Sequence, residues 1–221
     1  MSSLAIGSQV QLVFQTQFLT FTADQFSKAL KGNGYLEMRG QIANPQGPQA
    51  PPILVQSFSK GDVTVLLPPV QPPSLPVIVF QILNTVNLER KYEEVKKMLL
   101  ALNIYPEIIS DATFRCTTRS KAKASPLVGL TSMVDKTYID NISKNFDTQL
   151  KVGSIRFVTN FPLKQGGGCQ VIIEPLATSV ESEYYLEILY KTTKMNQFDK
   201  FISEFGSDMI QRIIEETDRN V

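Results

Sequence analysis

The chain has 221 residues with 43% apolar and 19% charged side chains, enough for one large or two small globular domains and too apolar for a disordered segment. Its 22 basic and 21 acidic residues leave a net charge of +1, which excludes a molecule-wide field that would draw in nucleic acid or an anionic membrane, so such binding needs a local patch. Histidine is absent, and with it go Ser–His and Cys–His nucleophile pairs and the usual histidine-based zinc and iron sites.

The first residues, MSSLAIGSQVQ, lack a basic leader region, and no run of apolar residues approaches membrane-spanning length. A soluble, cytoplasmic protein without a membrane span is expected. Residues 9–19 alternate, with Val10, Leu12 and Phe14 on one face and Gln9, Gln11, Gln15 and Gln17 mostly on the other, which predicts a half-exposed strand. Thr22 and Gln25 form a capping box for a short helix carrying Phe26 and Leu30, closed by Gly32 and Gly34. Tyr35 to Ile42 reads as a strand. The proline-rich segment 44–52 reads as a surface loop, since proline lacks the N–H that an inner strand needs.

Ile53 to Phe58 and Val63 to Leu67 flank Ser59-Lys60-Gly61-Asp62, a hairpin turn. After a second cluster, Pro68, Pro69, Pro72, Pro73 and Pro76, the run Val77 to Leu83 is apolar on both faces, as in a central strand. Leu88 to Asn103 is a helix with Tyr92, Val95, Met98, Leu99 and Leu102 on one stripe and Glu93 paired with Lys97 outside. A Pro-containing turn at 104–107 leads into a strand over Ile108 to Thr118. Asp135 caps a helix whose stripe is Tyr138, Ile139, Ile142 and Phe146. Strands follow at Val152 to Phe161, Cys169 to Glu174 and Tyr184 to Tyr190. A last helix carries Phe198, Phe201, Ile202, Phe205, Met209, Ile213 and Ile214, with Gly206 as a point of interruption.

Residues 63–100 and 169–206 overlay without a gap. Val65, Leu66, Leu67 and Pro69 fall on Val171, Ile172, Ile173 and Pro175, Ile82 and Leu83 on Ile188 and Leu189, and Tyr92 and Val95 on Phe198 and Phe201. The shared apolar pattern predicts an internal duplication of β-α-β(3-4)-α halves, residues 1–105 and 106–221, joined as one pseudo-twofold body. The expected class is α+β, an antiparallel sheet with long helices packed on one face.

This element order, with the strand, Ser-rich turn and strand from Ile53 to Val65, resembles the TATA-binding-protein-like or helix-grip fold, which exists as duplicated saddles and as single-domain ligand cups. In the DNA-binding saddles the concave face is basic at its edges and wedges base steps with paired phenylalanines. Matching pairs are absent here, and before its long helix the first half offers only Lys28, Lys31, Arg39 and Lys60. The resemblance therefore implies an architecture and carries no functional residues.

Four cations, Arg115, Arg119, Lys121 and Lys123, fall within nine residues, and no acid occurs from Ala112 to Val134. They would hold phosphates together with Thr and Ser hydroxyls, or they charge an edge strand against unwanted pairing. Tyr184, Tyr185, Tyr190, Phe198, Phe201 and Phe205 are candidate lining for a helix-gripped cavity, with Glu174 and Glu187 as polar members; core packing is the alternative. Glu89, Glu93, Glu94, Glu204, Glu215 and Glu216 read as solvated helix exteriors. Gly166 to Gly168 precede a strand and not a helix, so they read as a hairpin tip and not a phosphate loop. Cys116 and Cys169, 53 positions apart, read as reduced thiols, with a disulfide as the alternative. No cofactor and no catalytic or metal-binding residue is expected. The reading preferred is a non-catalytic binding or assembly module with a protein partner or a second copy. Its alternatives are a nucleic-acid-binding, transcription-associated protein and a carrier of an apolar small ligand.

Overall fold

The structure, a computed structural model, describes residues 5–42, 53–67, 76–144, 146, 148–159, 167–205 and 207–219. The fold is α+β. Its elements are β1 (Ala5–Thr16), α1 (Ala23–Gly32), β2 (Leu36–Ile42), β3 (Ile53–Lys60), β4 (Val63–Leu66), β5 (Val77–Ile82), α2 (Leu88–Ala101), β6 (Ile109–Lys121), α3 (Pro126–Ser132), α4 (Lys136–Ser143), β7 (Ile155–Thr159), β8 (Gly167–Pro175), β9 (Glu183–Thr192), α5 (Met195–Glu204) and α6 (Ser207–Thr217). A short 3-10 turn, Pro106–Ile108, leads into β6. The strands hydrogen-bond in the order β2-β3-β4-β5-β1-β6-β9-β8-β7. The proline-rich stretches 44–52 and 68–73, and Gly166, lie outside the described residues; Gly167 and Gly168 already belong to β8.

Local chemistry sets several boundaries. The Thr22 side chain accepts from Gln25 N at 3.2 Å while Gln25 Oε1 accepts from Thr22 N at 2.8 Å, so two of the N–H groups at the start of α1 are satisfied. Lys60 pairs with Val63, and Gly61 between them takes φ of 55°, a left-handed geometry that a tight hairpin requires. Asp135 accepts from Tyr138 N at 3.1 Å and starts α4.

Contacts divide the chain into two compact units, one of Val10–Phe114 and Lys191–Glu204, the other of Met1–Gln9, Arg115–Tyr190 and Phe205–Val221. These cuts fall elsewhere than the sequence halves 1–105 and 106–221, because the last stretch of β9 and α5 group with the first unit. In that unit, Val10, Leu12 and Phe14 from β1 and Ile78, Phe80 and Ile82 from β5 are fully buried, and Phe26, Leu30, Val95 and Phe198 are buried too. The rings meet edge to face: Phe14 lies 6.0 Å from Phe80 and 5.6 Å from Phe198, and Tyr92 lies 5.8 Å from Phe198. The Tyr92 hydroxyl donates to Asp199 Oδ1 at 2.6 Å, which satisfies the one polar atom of a side chain that is 2% exposed.

In the other unit, Cys116, Thr118 and Ser120 of β6 and Tyr184, Leu186 and Ile188 of β9 are buried, with Ile173, Leu130, Ile139, Ile210 and Ile214. The Tyr184 hydroxyl donates to Asp218 Oδ1 at 2.8 Å, and the other carboxylate oxygen accepts from Lys123 N at 3.0 Å.

Several sequence expectations need correction. Tyr138 and Phe146, placed on a buried stripe, are 62% and 55% exposed; α4 ends at Ser143, and only Ile139 of that stripe reaches the core. The single last helix is two, α5 and α6, and the break falls beside Gly206, a residue type that weakens helices. Glu93 pairs with Lys96 at 2.7 Å and not with Lys97. Helix α3, which holds Gly129, has no counterpart among the elements expected from the sequence. The structure gives that glycine a reason, since a Cβ there would fall on the Tyr184 hydroxyl.

Two outcomes are expected. Tyr92→Phe lowers stability by about 1–2 kcal/mol in urea unfolding. Burial first, then the Asp199 carboxylate, pushes the Tyr92 pKa well up. Its contribution is therefore complete below pH ~10 and is lost as pH rises beyond it, and Tyr92→Phe flattens the alkaline limb of stability against pH. Gly129→Ala costs about 1–3 kcal/mol by overpacking, and the cost shrinks in a Tyr184→Phe background; equal costs in both backgrounds would show that the hydroxyl is not the obstacle.

Candidate functional site

Burial along β6 alternates with the pleat. Phe114, Cys116, Thr118 and Ser120 face the core, while Arg115, Arg119 and Lys121 are exposed and Thr117 is half-buried. The neighbouring β9 does the same within this unit: Tyr184, Leu186 and Ile188 are buried, and Tyr185, Glu187 and Leu189 are half-buried. The two strands are adjacent in the sheet, so the outward residues share one face, polar except at Leu189.

On that face Arg115 is engaged. Its Nε donates to Glu187 Oε1 at 2.9 Å and its second guanidinium nitrogen to Oε2 at 3.2 Å, a two-pronged pair, and the Tyr185 hydroxyl adds a third bond to Oε2 at 3.0 Å. The Glu187 carboxylate raises the Arg115 pKa further, while partial burial, then the bond to Glu187, raise that of Tyr185. Glu187 is thus a counter-charge to the basic segment, which its place 72 positions away concealed in the sequence. Arg119 and Lys121 make no ion pair among the described residues. Lys123 lies beyond the end of β6, where its main chain is anchored on Asp218. Of the four predicted phosphate-contact cations, the strand brings Arg115, Arg119 and Lys121 to one face and leaves two of them uncompensated.

Of the six predicted cavity residues, Tyr184, Tyr185, Tyr190 and Phe205 belong to one unit and Phe198 and Phe201 to the other. Tyr184 and Phe198 are completely buried in the cores of different units, Phe205 is 4% exposed, and Phe201 packs on Phe114 with ring centres 5.1 Å apart. Tyr185 and Tyr190 are half-buried on β9, and Glu174 is half-buried on β8. A cavity of about 280 Å³ lies beside the β3–β4 turn, lined in part by Lys60, Asp62 and Lys91, and one of about 460 Å³ lies beside α3 and α4; neither involves those six residues. In the first, Asp62 is held by Lys91 at 3.0 Å and Asn84 at 2.9 Å, and Lys91 lowers its pKa.

Both thiols are free. Cys116 is buried on β6 and Cys169 half-buried on β8, with β9 between their strands. Burial alone pushes the Cys116 pKa up to about 12 and raises that of Cys169. Among the described residues no group of His, Cys, Asp or Glu is placed to hold a metal, and no helix is long and apolar enough to cross a membrane. Comparison of the chain with protein-family models, with curated proteins and with solved structures gave no match.

A thiol reagent applied to the native protein at neutral pH is expected to label Cys169 and to reach Cys116 only after unfolding. Rapid native labelling at Cys116, read by peptide mass spectrometry, would contradict its placement in the core.

Proposed function

We propose that the protein is a non-catalytic binding module whose outward face on β6 and β9 receives a macromolecular partner. The observation that carries this reading is the alternation of β6 from Ala112 to Lys121, which buries one side and presents Thr117, Arg119 and Lys121 on the other. Of the titratable groups on that face, Glu187 holds Arg115 and Tyr185 is bonded to Glu187. Such a fixed, hydrogen-bonded surface suits recognition better than proton transfer, which needs a group poised to change its charge. The unbonded thiols suit a reducing, cytoplasmic setting.

The strand order supports the architectural part of the reading. Outward from β1 run β5, β4, β3 and β2, and outward from β6 run β9, β8 and β7. An internal duplication of β-α-β-type segments would produce this mirrored order.

A nucleic-acid partner is the second reading, favoured by the two uncompensated cations of β6. The two readings differ in their response to salt, because each phosphate contact releases counterions. With a photo-crosslinking residue at Thr117, the module reading expects capture of a partner that a crosslinker at Lys200 on α5 does not capture; equal capture at both sites would overturn it. If that partner is duplex DNA, binding measured by fluorescence anisotropy falls with added salt, and Arg119→Gln and Lys121→Gln each reduce the salt slope by about 1. Salt-independent capture identifies a protein partner or a second copy.

A further inference from the structure

Helices α3 and α4, with residues 149–151, border a cavity of about 460 Å³, within the range of roughly 300–1,000 Å³ common for small-molecule sites. Its apolar lining comes from Leu127, Val128, Val134, Ile139 and Leu150. Most polar side chains around it are already committed. Thr131 Oγ1 donates to Leu127 O and accepts from Val152 N at 3.0 Å, and Ser132 Oγ donates to Gly129 O at 2.7 Å. The Asp140 carboxylate accepts from Gln149 Nε2 at 3.0 Å. Of the charged residues in the lining, exposed Lys136 and Lys151 make no ion pair among the described residues, and Asp140 keeps its charge beside the neutral Gln149 amide.

An apolar pocket whose hydroxyls are satisfied internally gives a ligand little to hydrogen-bond within, while two lysines against the one carboxylate of Asp140 leave the lining an excess positive charge that favours an anion. We propose that this cavity binds a small anionic amphiphile, a medium-chain carboxylate whose alkyl body covers the aliphatic residues and whose carboxylate meets Lys136 and Lys151. A neutral apolar molecule leaves both cations unused, and a cationic amphiphile is repelled by them. The site is independent of the sheet face on β6 and β9, and its test leaves that reading untouched.

The experiment is calorimetric titration of the full chain with octanoate and decanoate below their micelle concentrations, beside decanol and decyltrimethylammonium. Decanoate is expected to saturate a single site, with affinity rising up to about fourfold per methylene, the equivalent of ~0.8 kcal/mol, from octanoate to decanoate. Lys136→Gln combined with Lys151→Gln should weaken decanoate about tenfold while leaving decanol unchanged. Val128→Glu, at a position 46% exposed and therefore tolerant of a charge in folding, should block both. The absence of saturable decanoate binding, equal affinity for decyltrimethylammonium, or undiminished binding to Val128→Glu would each overturn the proposal.

Discussion

The contact between Phe198 and the rings of Phe14 and Tyr92, at 5.6 and 5.8 Å, is the constraint on which the rest of the chain depends. It draws α5, a segment near the end of the chain, into the core built by residues 10–114, and the Tyr92–Asp199 hydrogen bond fixes its register there. Burying a ring the size of phenylalanine is worth about 2–3 kcal/mol, a sizeable share of the marginal stability of a domain. Residues 205–221 then return to the other unit, so each compact unit is completed by a segment remote in sequence. A cut near residue 105 would leave the aromatic cluster without Phe198, and Phe14 and Tyr92 would face water. The long helix α2 alone does not close this core.

What the sequence made legible follows from how far each signal reaches. Thr22 with Gln25, Asp135 with Tyr138 and the Gly61 turn act over two or three residues, and each occurs where the residue types demanded it. The alternation of Val10, Leu12 and Phe14 and the stripe from Tyr92 to Leu102 were equally readable, since a period needs no partner to be seen. The reason for Gly129 lies on another strand, out of reach of any local signal: the Tyr184 hydroxyl occupies the space that a side chain there would fill. Tyr138 misled because a helical period marks a stripe without saying how far the helix extends beneath cover. Glu187, which neutralises Arg115, and Asp218, which holds Tyr184, emerged only when strands and helices 72 and 34 positions apart were brought together.

That neutralisation decides how the basic segment should be weighed. Four cations in sequence suggest a phosphate-binding strand, but with Arg115 clamped by Glu187 and Lys123 past the strand end, two remain on the face. Two phosphate contacts correspond to a salt slope near −1.8, against the 6–10 contacts of proteins that hold duplex DNA through its backbone. Electrostatics from this strand alone would therefore yield weak, readily screened binding. Shape and hydrogen bonding across Thr117, Tyr185 and their neighbours must provide most of the affinity for any partner, which is the physical ground for placing a general macromolecular partner ahead of nucleic acid.

The 460 Å³ cavity and the buried Tyr184–Asp218 pair are linked through α3. This helix has seven residues and no side-chain cap, with Pro126 at its first turn, so its intrinsic stability is slight. It is located by contact: Gly129 lies against the Tyr184 hydroxyl, and that hydroxyl is fixed by a carboxylate that is 4% exposed. A carboxylate so buried is costly unless its acceptors are filled, and Tyr184 with the Lys123 N–H fills one on each oxygen. Leu127, Val128, Thr131 and Ser132 of the same helix line the cavity. The clamp therefore positions one wall of the pocket before any ligand arrives, and the entropy of ordering α3 is lost in folding and not in binding. Loosening Asp218 would move that cost to the binding step, so occupancy of the cavity and docking of the C-terminal helix α6 are expected to stabilise each other through α3.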